Sequence, residues 1–90
     1  MSIFLITFQM SSEARNNEMI KAIKMDGPWA RITDTTWCVK AENTTTSEIR
    51  DKLNNRVQLN NTEKLFVVNI TNSAWASYYL PKEVADWLKE

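Results

Sequence analysis

The order of apolar runs and helix-start signals along the 90 residues restricts the fold of this chain more than any other feature. Ile3 to Phe8 is a short apolar and β-branched run, which predicts a buried strand. Ser11 or Ser12 can cap the helix that follows, whose apolar stripe extends from about Ala14 to Met25. Asp26-Gly27-Pro28 ends this helix, because Gly tolerates a left-handed cap and Pro cannot continue a helix.

The rest of the pattern reads strand, strand, helix, strand. Trp29 to Thr33 and Thr35 to Ala41 predict two strands separated by the turn-forming Asp34. Thr45-x-x-Glu48 is a capping box, which predicts the start of a second helix. Leu65 to Thr71 is almost wholly apolar and predicts another strand. The order β-α-β-β-α-β is that of the ferredoxin-like split βαβ arrangement, an α+β sandwich.

Residues beyond this pattern form a C-terminal extension. We expect a single domain over residues 1–90, of which residues 74–90 are the extension. Residues 75–79 predict either a fifth, short strand or an extended arm, and Pro81 suits the first turn of a short terminal helix. An amphipathic helix added to a small fold either covers the sheet or docks on a second subunit. Docking is slightly favoured, because helices on one side leave the other sheet face bare.

Composition excludes several classes of function. The 11 basic and 11 acidic residues balance, which argues against a nucleic-acid binder that relies on bulk positive charge. The chain has no His and only one Cys, Cys38, so it can form neither an internal disulfide nor a Cys/His zinc site. The apolar N-terminus is too short for a membrane span and unlike a signal peptide. A cytoplasmic protein without a membrane partner is therefore expected.

A set of segments in order along nearly the whole chain matches a recurring pattern. They are Phe4-Leu-Ile-Thr-Phe8, Ala22-Ile-Lys-x-x-Gly27-x-Trp-Ala-Arg-Ile32, Thr36-Trp-x-Val-Lys40, Glu48-Ile-Arg-Asp-Lys-Leu53, Leu65-Phe-Val-Val68, Trp75-Ala-Ser77, Leu80-Pro-Lys-Glu-Val84 and Asp86-Trp-Leu88. With these segments the chain resembles the small SinR-like proteins of the CRISPR-associated protein 2 superfamily. The resemblance implies a ferredoxin-like fold and a homodimer.

The resemblance also implies where a catalytic site would lie. Nuclease members of the superfamily carry an Asp at the end of the first strand, and the two Asp residues of a dimer hold a divalent metal ion that activates water. This sequence has Gln9 at that position, and a neutral amide is a poor magnesium ligand. Asp26 and Asp34 stand at a helix end and a turn, where Asp is common for backbone reasons. We therefore expect no catalytic residue, no metal and no cofactor.

The candidate ligand contacts are Gln9, Ser11, Ser12, Arg31 and Tyr78. The first three occupy the loop that forms the functional cleft in the family, where helix N-termini favour a phosphate or nucleotide. The plainer interpretation is that one Ser caps a helix and Gln9 is solvated. Arg31 stands inside a predicted strand between apolar residues, which suits a directed contact. Neighbouring strand residues face opposite ways, so either Tyr78 or Tyr79 should be exposed or at an interface.

Aromatic residues of the extension are candidates for the dimer interface, namely Trp75, Tyr79 and Trp87. The leading hypothesis is a non-catalytic homodimer that binds nucleic acid or a small nucleotide in the cleft between its protomers, where it would sequester a signalling nucleotide, for example. Two alternatives remain open. One is a residual metal-dependent endonuclease that uses other carboxylates, and the other is an adaptor that docks a protein partner through its C-terminal tail.

Overall fold

A computed structural model describes all 90 residues and has the helices and strands in the predicted order. The strands are β1 (Ser2–Gln9), β2 (Trp29–Thr33), β3 (Thr36–Ala41) and β4 (Lys64–Asn69), and the helices are α1 (Glu13–Lys24), α2 (Thr46–Val57) and α3 (Lys82–Lys89). The strands form one antiparallel, 4-stranded sheet in the order β2-β3-β1-β4. The predicted α+β, ferredoxin-like fold class is confirmed.

Helices α1 and α2 begin at the capping residues that the sequence contains. The Ser12 hydroxyl accepts a hydrogen bond from the Arg15 backbone N–H, and the Thr45 hydroxyl accepts one from the Glu48 N–H, each at 3.2 Å. These hydroxyls satisfy N–H groups that have no partner inside the first turn of a helix. Of the two candidate serines, Ser12 is therefore the cap of α1.

The hydrophobic core lies between one face of the sheet and the helices α1 and α2. Alternate residues of the central strands point toward the helices, as a period of two requires. The fully buried members of this core are Phe4, Ile6, Val39, Met19, Ile23, Ile49 and Leu53. Trp37, expected in the core or at an interface, is buried with them at 4% exposure.

The opposite face of the sheet, which we call the open face, is partly covered by residues 74–90, which we call the tail. No fifth strand forms, and β4 is followed by a turn in which the Ser73 N–H donates to the Ile70 carbonyl. Residues 74–80 are an irregular arm, and α3 follows. Leu80 and Leu88 line a groove together with the sheet residues Ile32 and Cys38. Within this single chain the tail thus lies on its own sheet.

Gly27 occupies a position that no other residue fits well. Its φ angle is +149°, a conformation that L side chains rarely adopt. A Cβ atom at this position would collide with the carbonyl oxygen of Lys40. The Lys40 N–H donates to the Pro28 carbonyl at 2.9 Å, so the chain after α1 approaches β3 closely. The expectation that Gly27 forms a left-handed helix cap was wrong, since Met25 caps α1 in a right-handed conformation, and Gly27 is needed instead for this close approach.

The packing of α2 on the sheet predicts the effect of truncating Leu53, whose exposure is 0%. Leu53→Ala should lower the free energy of unfolding by about 2–5 kcal/mol, because it removes buried methyl groups and leaves a cavity. Lys52→Ala, at an exposed position on the same helix, should change it by less than about 0.5 kcal/mol. Urea unfolding followed by tryptophan fluorescence measures both, and equal effects would contradict this packing.

Candidate functional site

One buried carboxylate, that of Glu63, organises the end of the sheet where β1 finishes. The side chain of Glu63 is fully buried, with 0% exposure. It accepts hydrogen bonds from the backbone N–H and the hydroxyl of Ser11, from the Asn60 N–H, and from the guanidinium group of Arg15. The closest of these contacts joins Arg15 Nη2 and Glu63 Oε1 at 2.8 Å. A buried charge needs such partners, and Glu63 has them.

Arg15 extends this network to the end of α2. Its guanidinium group donates to the carbonyls of Val57 and Gln58 at 3.0 and 3.1 Å. These carbonyls belong to the end of the helix, where backbone acceptors have no partner inside it. The ion pair of Arg15 and Glu63 therefore joins the loop after β1, the end of α2 and the start of β4.

The loop after β1 uses most of its polar groups inside the chain. The N–H and hydroxyl of Ser11 both face Glu63, and the Ser12 hydroxyl caps α1. In the folded chain Ser12 thus caps the helix and Ser11 binds Glu63, in agreement with the plainer, structural interpretation of this loop. A ligand role for Ser11 and Ser12 stays a prediction.

Gln9 lies on the open face beside residues of β4. It is paired with Lys64, and Thr7 is paired with Phe66, in the antiparallel register of β1 and β4. Residues opposite each other in an antiparallel pair share one face. Thr7, Gln9, Lys64 and Phe66 therefore form one surface, which we call the open-face patch. With Glu63 at its rim, the patch lines a groove of about 690 Å³.

Gln9, Lys64 and Phe66 of the open-face patch are exposed, whereas Thr7 is half-buried and its hydroxyl accepts a hydrogen bond from that of Thr36 at 3.1 Å. The Phe66 side chain is 63% exposed, a high value for an aromatic residue in a strand. Neither the Lys64 ammonium nor the Gln9 amide makes a hydrogen bond or ion pair within the chain. The nearby Glu63 carboxylate is paired with Arg15 and therefore does not neutralise the positive charge of Lys64.

The remaining candidate ligand residues lie elsewhere. Arg31 is opposite Trp37 and so belongs to the helix side of the sheet, where it lines a groove of about 500 Å³ with Asn16 and Asn17 of α1. Its guanidinium lies 3.5 Å from the carboxylate of Asp34. Tyr78 is in the tail and is 90% exposed. A single chain therefore does not bring Arg31 to the same face as Gln9.

Some aromatic rings have a lysine ammonium group over them, and others do not. The Lys24 ammonium lies 4.4 Å from the ring centre of Trp29, and the Lys40 ammonium lies 4.3 Å from that of Trp87. Among the large exposed hydrophobic side chains, Phe66, Trp75, Tyr78 and Tyr79 have no such cation over the ring.

The prediction that one of Tyr78 and Tyr79 is exposed is confirmed, but the opposite orientation of the two side chains, on which it was based, was wrong. It assumed a strand, but the arm is irregular and both side chains are exposed, at 90% and 100%. Their ring centres are 6.0 Å apart, so the pair projects from the protein together. The predicted interface residues Trp75 and Tyr79 are thus exposed in the single chain, whereas Trp87 is half-buried over Lys40.

The carboxylates do not assemble into a metal site. No group of three or more Cys, Asp or Glu side chains lies close enough to hold a metal ion. Asp26 is bound to Arg56 at 3.0 Å, and Asp34, near Arg31, is 92% exposed. The alternative of a residual metal-dependent endonuclease stays a prediction.

Comparison with known proteins leaves the family open. No family model matches the chain, and no curated protein is similar to it. None of the helices is both long and apolar enough to cross a membrane.

Sequence reasoning missed Glu63, Lys64 and Phe66. The spacing of Asn60 and Glu63 was the one local signal, since the Glu63 carboxylate accepts from the Asn60 N–H at 3.1 Å. Nothing local links Glu63 to Arg15, which is 48 residues away. Lys64 and Phe66 join Gln9 only through the register of β1 and β4, which the sequence does not specify.

The network around Glu63 predicts how stability depends on pH. The hydrogen bonds from Arg15, followed by those from Asn60 and Ser11, hold the pKa of Glu63 far below its usual range, although burial acts in the opposite direction. A carboxyl group with a lowered pKa in the folded state stabilises fully above its unfolded-state pKa of about 4.3 and loses this contribution as the pH falls further.

Glu63→Gln should therefore lower the melting temperature at pH 7. The difference in melting temperature between this variant and the wild type should shrink as the pH falls below about 4. Glu18→Gln is the matched control, because Glu18 binds the same Arg15 guanidinium at 2.8 Å but is 54% exposed. Thermal unfolding monitored by circular dichroism between neutral and acidic pH measures both variants. A loss no larger than that of Glu18→Gln would contradict the central place of Glu63.

Proposed function

We propose that this protein is a non-catalytic binding protein for a nucleotide or a short single-stranded nucleic acid. The observation that carries the proposal is the exposed ring of Phe66 beside the unpartnered ammonium of Lys64 and amide of Gln9. The chain resembles the CRISPR-associated protein 2 superfamily but has Gln9 where its nucleases have Asp. A scaffold that binds without cleaving agrees with that difference.

Each residue of the open-face patch has a chemical role in this proposal. The exposed ring of Phe66 offers a face on which a base stacks. The ammonium of Lys64 neutralises a phosphate, and the amide of Gln9 can both donate to and accept from a base edge or a sugar hydroxyl. The groove of about 690 Å³ has room for a ligand of nucleotide size.

The distribution of aromatic residues limits the length of the ligand. RNA-recognition modules of the same strand order stack successive bases on aromatic residues of their sheet. None of the open-face residues of the central strands is aromatic; they are Ile3, Leu5, Thr7 and Gln9 in β1 and Thr36, Cys38 and Lys40 in β3. Phe66 on the edge strand β4 therefore serves one base, and the zero net charge also disfavours a long duplex. Sequestration of a signalling nucleotide is a role that such a site would suit.

The proposal includes a homodimer. Tyr79 is 100% exposed and Trp75 is 40% exposed, and large aromatic side chains of this kind are typical of interface centres. A two-fold axis would place two open-face patches in one symmetric cleft. The molar mass in solution, by light scattering after size exclusion, tests this part, since a monomer would leave each patch to act alone.

A protein adaptor is the second candidate, and the paired exposure of Tyr78 and Tyr79 favours it. In this case the tyrosines, and not the open-face patch, would carry the interaction. Substituting both by Ser should then abolish partner binding and leave nucleotide binding unchanged. The two candidates therefore make opposite predictions for the two surfaces.

The effect of variants on oligonucleotide binding tests the proposed site. Phe66→Ala should weaken binding of a short fluorescein-labelled oligothymidylate about 5- to 150-fold, because base stacking on an aromatic residue contributes roughly 1–3 kcal/mol. Lys64→Gln should weaken binding and reduce the slope of log K against log salt by about 1, as expected for one phosphate contact. Fluorescence anisotropy at several salt concentrations measures both.

Lys52→Gln provides the matched control for charge. Lys52 is an exposed lysine of α2, on the other side of the sheet, so its loss should leave affinity and salt slope unchanged. A cyclic nucleotide, titrated by calorimetry, serves as the second probe. If neither probe binds the folded wild type, or if Lys52→Gln and Lys64→Gln behave alike, the proposed site is wrong.

A further inference from the structure

Polar contacts between the tail and the rest of the chain all involve a single side chain. The only hydrogen bonds from residues 74–90 to residues 1–73 come from the Lys40 ammonium, which donates to the Trp87 carbonyl at 2.9 Å and to the Glu90 carboxylate at 3.3 Å. The same ammonium lies 4.3 Å from the ring centre of Trp87. Lys40 stands on the open face of β3, and its side chain is only 11% exposed. It therefore holds the end of α3 against the sheet.

Apolar packing under the tail is incomplete. Helix α3 has 8 residues, none of them fully buried, and its N-cap residue, Pro81, provides no side-chain hydrogen bond. A helix of this length is not stable without packing partners. A groove of about 410 Å³ remains between the tail and the sheet residues Leu5, Ile32 and Cys38, with Ile70, which follows β4, also in its lining. Cores are normally packed without such gaps, so the tail adheres to the sheet less firmly than α1 and α2 do.

The arm that leads to α3 contains a strained residue. Tyr79 has a φ angle of +63°, which bulky residues rarely adopt, and its side chain is fully exposed. Such a conformation persists only when the surrounding structure imposes it. The Tyr79 side chain makes no hydrogen bond to the rest of the chain, whereas Leu80, the next residue, lines the groove over the sheet.

We propose that the tail is a releasable cover of the open face, held closed by Lys40. Release would relieve the strain at Tyr79 and expose Leu5, Ile32, Cys38 and Ile70 as an apolar surface. Burial of these side chains favours the closed form, so the open form is a minor state.

The consequence for ligand binding rests on the proposed function. Leu5 and Thr7 are successive open-face residues of β1, so the covered surface adjoins the open-face patch. A single-stranded nucleic acid that is bound at Phe66 and extends further across the sheet would need the cover to open. Such a ligand and the closed tail therefore compete, and each weakens the other by the same factor.

Cys38 reports on the cover, because it lies under the tail. It is the only cysteine of the chain, is 1% exposed, and lines the groove beneath the tail. Burial raises the pKa of its thiol to about 11, so at pH 8 hardly any reactive thiolate exists in the closed form. Opening would restore an ordinary thiol pKa, and the rate of reaction with a chromogenic disulfide reagent then measures how often the cover opens.

The test compares this rate in the full-length wild type and in Lys40→Met, which keeps the apolar stem of the side chain and removes its charge. We expect the Cys38 rate to rise at least about tenfold, the effect of losing one charge-assisted hydrogen bond. Lys82→Met is the matched control, because Lys82 is also a lysine with an ion pair but binds only Asp86 within α3. Its rate should equal that of the wild type.

Global unfolding would also expose Cys38, so urea denaturation of each variant is used to measure its unfolded population. The proposal requires the rise in Cys38 reactivity to exceed the rise in the unfolded population, and it is overturned if the two rise together or if Lys40→Met reacts like the wild type. If Lys40→Met does not fold, Glu90→Gln removes the weaker, exposed contact of Lys40 and should give a smaller rise above the unfolded population. No rise in that variant would overturn the proposal as well.

Oligothymidylate binding to the same proteins separates the two proposals. Tighter binding by Lys40→Met than by wild type supports both the cover and its competition with the ligand. A faster Cys38 reaction without oligothymidylate binding by any variant supports the cover and rejects the proposed function for this ligand. Binding that Phe66→Ala abolishes, with Cys38 rates unchanged by Lys40→Met, supports the function and overturns the cover.

Discussion

Both long helices pack on one side of the sheet, so the other face must either be exposed to solvent or be covered by another segment. The rest of the structure depends on this constraint. Helices α1 and α2 bury the helix side of β1 and β3 in a continuous core. The open face is apolar along Leu5, Ile32 and Cys38, and there the tail lies over it. Toward the end of β1 and the start of β4 the cover stops, and Gln9, Lys64 and Phe66 are left in solvent. The candidate site is thus the part of the open face that the tail does not reach.

The ion pair of Arg15 and Glu63 makes this part of the surface well defined. It fixes the start of β4 relative to α1 and to the end of α2, and so fixes where Lys64 and Phe66 stand beside Gln9. It also neutralises a carboxylate that would otherwise repel an anion near Lys64. A buried pair of this kind contributes little net stability compared with apolar packing, but breaking it by removing one partner is harmful. Its value to this fold is geometric and electrostatic.

The fold could be predicted from the sequence because its signals are local. Apolar runs of strand length, the serine and threonine caps and the Asp26-Gly27-Pro28 stop give the order of helices and strands, and the structure agrees with them to within a residue or two. The candidate site could be predicted only at Gln9. Lys64 and Phe66 became part of it through strand pairing, which depends on contacts between distant segments. The helix of the tail could be predicted, but the surface that it covers could not, since an amphipathic helix indicates that it needs a surface and not which surface it takes.

The claim that the open-face patch binds a nucleotide is tested most directly by mapping the contact on the whole protein. Backbone amide NMR spectra recorded during a titration with a short oligothymidylate or a cyclic nucleotide would show which residues sense the ligand. We expect saturable shifts at Gln9, Lys64 and Phe66, with the outer faces of α1 and α2 unchanged. Shifts confined to the groove at Arg31 and Asn16, or no shift at the patch in the folded protein, would contradict it.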